Sequence, residues 1–296
     1  MALELDFFKY QGIGNDFILI DERGQKNSTL AHWQPKAQKI CDRHLGIGGD
    51  GLLILSDSST AQIKMTVINA DGSVPEMCGN GIRCAARHAY FLGDTKNKDK
   101  VTVDTGAGVL TCQNLVKDGH YNGSKVAMGK PIFDPSQIPT TLRLNESKVI
   151  KHPLRVKGRE LETSFVSMGN PHCVAFAHHR GDKLLELAQE LGPLVEKNTI
   201  FPQKTNVEFV YQVSPTLLEV VVWERGCGIT QACGTGATAT AVIACLLQKS
   251  PFDTPIEVKL PGGTLTIEVD ENFSQTWMSG PADHVFNGTL DNELIS

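Results

Sequence analysis

Two stretches of this chain, EMCGNGIRCAAR at residues 76–87 and QACGTGATATA at residues 231–241, each place a Cys-Gly-x-Gly heading on an Ala-rich run. Their cysteines, Cys78 and Cys233, lie 155 residues apart, and the same offset goes on aligning segments far from both. GIGND at residues 12–16 meets SMGNP at 167–171, which sets Asn15 opposite Asn170. VTVDTGAGVLT at 101–111 meets IEVKLPGGTLT at 256–266, and INADG at 68–72 meets WERGC at 223–227, setting Asn69 opposite Glu224. A period this long exceeds the roughly 20–50 residues of solenoid repeats, so it reads as a duplicated domain.

Within each copy the pattern is mostly strand. DFILIDE, GLLILSD and IKMTVIN in the first copy, and HCVAFAH, NVEFVYQV and LLEVVVWE in the second, are short runs rich in β-branched or aromatic residues and bounded by turn residues. One helical run follows each Cys-Gly-x-Gly, expected over residues 82–92 and 237–248. Both runs are apolar around most of their circumference, which puts each helix inside its domain with the sheet curled about it. The expected fold is therefore α/β in the α+β sense: two pseudo-symmetric domains, each a mostly antiparallel sheet wrapped around a central helix. Three prolines within GKPIFDPSQIP mark the join between copies, and SGPADHVF near the C-terminus resembles it. The halves are placed at residues 1–128, with 283–296 returning to the first, and 129–282, the active site being expected in a cleft between them.

Bulk properties narrow the function classes. A chain of 296 residues exceeds the length at which single cores usually stop growing, in keeping with two domains. With a net charge of -5 and no Lys/Arg cluster, it carries no footprint for a phosphate backbone, so no nucleic-acid partner is expected. The longest nearly apolar stretch, ATATAVIACLL, falls short of the roughly 20 residues that cross a bilayer, and MALELDFFKY lacks the basic start of a signal peptide. The expectation is a cytoplasmic protein with no membrane partner. Its eight cysteines then read as free thiols; no C-x-x-C occurs, and no His stands at finger-like distance, so no metal is expected.

Two thiols at helix starts suggest a particular chemistry. Glycines let the backbone approach a ligand, and the exposed N–H groups of a helix start can hold a carboxylate. The same partial positive charge favours thiolate over thiol, so both cysteines are expected below the usual thiol pKa of about 8.5. Two such units suit a reaction that removes a proton from one face of a carbon and returns one to the other.

CGNGIRCAAR, NADG, GIGGDG, SMGNPHCV, WERGCGITQACGTGA and KYQGIGNDF closely resemble the motifs of the diaminopimelate epimerase family, in the family's order and over nearly the whole chain. The resemblance implies interconversion of LL- and meso-diaminopimelate without pyridoxal phosphate or any other cofactor, in lysine and peptidoglycan-precursor synthesis, by a homodimer. It implies that Cys78 and Cys233 form the thiolate/thiol pair, and that Gly79, Asn80, Gly234 and Thr235 hold the reacting α-carboxylate. Asn15, Asn69, Asn170, Asn206, Glu224 and Arg225 match its polar substrate-binding positions, and His172 and Glu224 are implied to tune the thiols. Singly, turn asparagines and a surface arginine are commonplace; it is the set that carries weight. One departure is Gly51, where many relatives carry a glutamine that touches substrate. GIGGDG at residues 46–51 also fits a dinucleotide-binding G-x-G-x-x-G, but strand-like LLILS follows it where that motif needs a helix. The rival readings are a proline or hydroxyproline racemase, a phenazine-type isomerase of the same fold and, from another class, a redox switch built on the two thiols.

Overall fold

The structure is a computed structural model that describes residues 5–25, 30–94, 99–142 and 147–291. The chain divides into two compact units, Met1–Val126 with Gly280–Ser296, and Ala127–Ser279.

In the first unit the strands run β1 (Leu5–Gly12), β2 (Asn15–Asp21), β3 (Gly51–Ser56), β4 (Ile63–Asn69), β5 (Lys100–Thr105), β6 (Gly108–Lys117) and most of β7 (His120–Gly129), whose last three residues belong to the second unit. Short helices α1 (Leu30–Trp33) and α2 (Ala37–Cys41) fill the β2–β3 interval, and α3 (Gly79–Phe91) follows β4. The second unit holds β8 (His152–Val156), β9 (Arg159–Ser167), β10 (Pro171–Phe176), α4 (Asp182–Glu196), β11 (Asn206–Ser214) and β12 (Leu217–Glu224). It continues with the two-residue β13 (Gly228–Ile229), α5 (Gly234–Leu246), β14 (Ile256–Leu260), β15 (Gly263–Val269) and β16 (Thr276–Gly280). The last strand, β17 (Asp283–Leu290), returns to the first unit and pairs antiparallel with β1.

The duplication holds element by element. The pairing sequence β1–β2 antiparallel, β2–β3 parallel, β3–β4 antiparallel, β4–β5 parallel and β5–β6 antiparallel recurs as β9–β10, β10–β11, β11–β12, β12–β14 and β14–β15 in the same senses. Helix α3 touches β1 through β6 and β17, and α5 touches β9 through β12, β14 and β15, so each sheet does curl around its helix. In α5 the burial goes with small side chains: Gly, Ala and Thr dominate the helix, and every residue from Gly234 to Cys245 is buried.

Two differences from the sequence reading follow from local chemistry. Both central helices begin three residues earlier than expected, at Gly79 and Gly234, because the glycines are themselves the first turn beneath a cysteine cap. The fifteen-residue α4 was not anticipated. It lays Leu184, Ala188, Leu191 and Val195 on a core that includes Phe201, Phe209 and Val221. In the first copy the described residues of the same interval form α1, a 3-10 turn over Gln34–Lys36 and α2, with Trp33 and Ile40 buried.

Candidate active site

In the first unit Cys78 is the N-cap of α3, its backbone extended at φ -132 and ψ 116, and its Sγ accepts the Gly81 amide at 3.4 Å. A side chain at position 81 would bring a Cβ to 2.8 Å from Leu53 Cδ2 and 3.6 Å from Cys78 Sγ, so the glycine is what lets the thiol sit on the amide. Asn15, at the start of β2, places Oδ1 3.0 Å from Asn80 Nδ2, which donates to it, and 4.0 Å from Cys78 Sγ. Its own Nδ2 donates to Asp50 at 2.7 Å, and Asp50 is held in turn by Arg43. Gly79 and Asn80 are buried in the first turn. Asn69 ends β4 and donates to Ser73 at 2.9 Å across the following turn, so its amide is fixed by that turn and not by the cysteine. Gly51 lies opposite Asn69, and a Cβ there would meet the Ile68 carbonyl oxygen at 2.6 Å. The backbone of the neighbouring strand thus closes over position 51, leaving no room for a side chain.

The second unit repeats this construction. Cys233 caps α5 at φ -126 and ψ 107, and the Gly236 amide donates to its Sγ at 3.4 Å. Thr235 Oγ1 lies 3.5 Å from that sulfur and accepts from Asn170 Nδ2 at 3.2 Å. His172 continues the chain, with Nε2 2.9 Å from Asn170 Oδ1 and Nδ1 2.7 Å from Glu208 Oε1, both side chains of that last pair being inaccessible to solvent. Asn206 spans the neighbouring turns, donating to the Pro171 carbonyl at 2.9 Å and accepting the Arg225 amide at 2.8 Å. The Arg225 side chain is exposed, and Glu224 beside it is half-buried. Gly234 is buried at the head of the helix.

The electrostatics depart from expectation at Cys233. Burial, and then the charges of Glu224 and Glu208, push its thiol well above the usual range against the hydrogen bonds of Thr235 and the Gly236 amide. The helix start does not lower this thiol, because a residue only 3% exposed loses more by desolvation than the helix end returns. Glu208 is raised as well, by burial, with His172 acting in the opposite direction.

Three participants escaped the sequence reading. Glu208 sits inside a strand buried on both faces, and a carboxylate in such a run, NVEFV, is the available signal. Arg83 is buried within α3, where Nη1 donates to the Gly79 carbonyl at 2.9 Å and Nε to Pro281 at 3.0 Å. Glu196, at the end of α4, accepts from Trp223 Nε1 at 2.8 Å and from the Gly226 amide at 2.9 Å, and so holds the turn that carries Glu224 and Arg225.

A curled sheet around a helix, built twice, with a cysteine capping each helix, defines a duplicated α/β fold with one capped thiol in each half. The family model for diaminopimelate epimerase matches residues 7–133 and 164–285, and the chain belongs to the diaminopimelate epimerase family. It is 47% identical over 290 residues to diaminopimelate epimerase 1 of Nostoc sp. (strain PCC 7120), covering 97% of this chain and 100% of that one. It is 42% identical over 292 residues to the diaminopimelate epimerase of Desulfitobacterium hafniense, covering 99% and 100%. Among solved structures, the Bacillus anthracis phenazine biosynthesis protein of the PhzF family shares the fold at a TM-score of 0.70 and 17% identity, over 97% of this chain and 99% of that one.

Proposed function

We propose that this chain interconverts LL- and meso-2,6-diaminopimelate by proton exchange at one Cα, with Cys78 and Cys233 as the two proton carriers. The observation that supports this most is the repetition of one device: a cysteine N-cap whose sulfur takes the amide three residues on, at 3.4 Å in both copies. The sulfur that starts as thiolate takes the Cα proton, and the thiol of the other copy delivers its own proton to the opposite face; the two sulfurs exchange roles and no other atom changes hands. The first-turn amides beside Gly79, Asn80, Gly234 and Thr235 neutralise the α-carboxylate as charge spreads into it, so no pyridoxal cofactor or metal takes part. Asn15, Asn69, Asn170, Asn206, Glu224 and Arg225 bind the polar groups of the substrate, Arg225 gripping a carboxylate through its planar fork. His172 and Glu224 tune the thiols. The enzyme works as a cytoplasmic homodimer in lysine and peptidoglycan-precursor synthesis.

In deuterated water, early product from LL-diaminopimelate should carry deuterium at Cα while recovered substrate keeps protium, because the delivering thiol has exchanged with solvent before substrate binds. Cys78→Ala and Cys233→Ala should each lower turnover about a thousandfold. Early product that retains its original protium, or turnover of proline in place of diaminopimelate, would overturn the reading. Sedimentation equilibrium tests the dimer.

A further inference from the structure

The two thiols occupy equivalent places in the repeat, yet the charges buried next to them are opposite. At the fifth position of each central helix a side chain bonds back to the carbonyl of the first: Arg83 Nη1 to Gly79 at 2.9 Å in α3, and Thr238 Oγ1 to Gly234 at 2.9 Å in α5. The bond is the same, but only the first copy places a cation there. Across from the third helical residue the reverse holds. The side chain facing Gly81 is Leu53, and the side chain facing Gly236 is Glu208, whose Oε1 would lie 2.9 Å from a Cβ at that glycine, where Cys233 Sγ would lie 3.2 Å away. The partner of Glu208 shows the same asymmetry, since His172 stands where the first copy has Phe17.

We propose that Arg83 and Glu208 divide the labour between the thiols before substrate arrives, Arg83 holding Cys78 as the thiolate and Glu208 holding Cys233 as the thiol. Both act as positioning residues, and the inference rests on the two-thiol reading above. A guanidinium fully removed from solvent is stabilised by nearby negative charge. The groups whose charge acts most on Arg83 are Cys84 in the same helix, Cys78, Tyr121 on β7 and Cys112 on β6. Burial pushes Cys84 and Cys112 up to about 12 and Tyr121 higher still, so at neutral pH these three carry no charge. Cys78 remains. Asp50, which accepts from the Asn15 amide beside Cys78, is engaged by Arg43, and Asp16 by Lys9 and Arg43. Cys233 faces Glu208 from β11 and Glu224 from β12, with His172 on β10 bonded to Glu208, and both carboxylates oppose a second negative charge on its sulfur. The helix-end field is common to both copies and cannot separate them.

The thiolate absorbance near 240 nm, followed against pH in the full-length protein without substrate, reads this directly. The step missing from Cys78→Ser should lie at least about one pH unit below the step missing from Cys233→Ser. Arg83→Met should move the Cys78 step up and Arg83→Lys should keep it, whereas Glu208→Gln, which can still bond His172, should move the Cys233 step down. Coincident or reversed steps in the unaltered chain overturn the proposal even if Arg83→Met fails to fold, as does a Cys233 step that ignores Glu208→Gln. Epimerase activity is measured separately: ordered steps without epimerisation overturn the function and not this inference, and epimerisation with coincident steps does the opposite.

Discussion

Single residues of the first unit also carry stability that pH can remove. Burial opposes ionisation of Asp21, but hydrogen bonds from His88 and Arg23 outweigh it and hold the carboxyl below the usual carboxylate range. Arg23 binds it through two nitrogens, Nε at 2.9 Å and Nη2 at 2.7 Å, and His88 Nε2 lies 3.2 Å away. Because the folded value is depressed, this stabilisation is fully present above the unfolded carboxylate pKa of about 3.9 and is lost as pH falls further. Asp21→Asn should therefore unfold about 2 kcal/mol more readily than the unaltered protein at pH 7. Denaturant melts at decreasing pH should show the difference shrinking below about pH 4; a difference independent of pH would assign the cost to packing alone. At this scale the sequence made the two capping cysteines legible through their repeat, and Asn15 and Asn170 through the same offset. Arg83 and Glu208 stayed hidden because a charge inside an apolar run looks like an interruption until its neighbours in space are known.

Among the elements, the six strand runs read from the sequence were legible to within a residue or two, since IKMTVIN and LLEVVVWE coincide with β4 and β12. Helix α4 was not, because DKLLELAQELGPLVE has no partner at the 155-residue offset: its counterpart interval folds as α1 and α2. What α4 contributes is Glu196, whose two oxygens take Trp223 Nε1 and the Gly226 amide and thereby fix the turn after β12. Glu196→Gln leaves one acceptor oxygen for two donors, so the turn that presents Arg225 should loosen while both thiols stay capped. The expected result is a KM for diaminopimelate raised about tenfold with kcat nearly unchanged. A fall in kcat at constant KM would show that the turn serves the chemistry itself and not the grip on substrate.

On the scale of the molecule, the chain leaves its first unit at Val126 and re-enters it at Gly280, so the second unit is continuous in sequence and the first is not. The N-terminal segment alone lacks β17, which leaves β1 paired with β2 on one side only and removes Leu290 from the core around Trp33 and Ile40. It also lacks the Pro281 carbonyl that accepts from the buried Arg83. An exposed sheet edge and a buried guanidinium short of an acceptor are each costly. The segment 127–279, by contrast, contains β8 through β15, both of its helices and a core assembled from its own residues. Expressed alone, 127–279 should give dispersed amide resonances and a cooperative thermal melt, whereas 1–126 should not. Joining 280–296 ahead of β1 through a flexible linker, so that β17 can pair with it again, should restore folding to the first unit. If 1–126 melts cooperatively without that strand, β17 is dispensable, and closure of the first sheet must come from the segments that precede it.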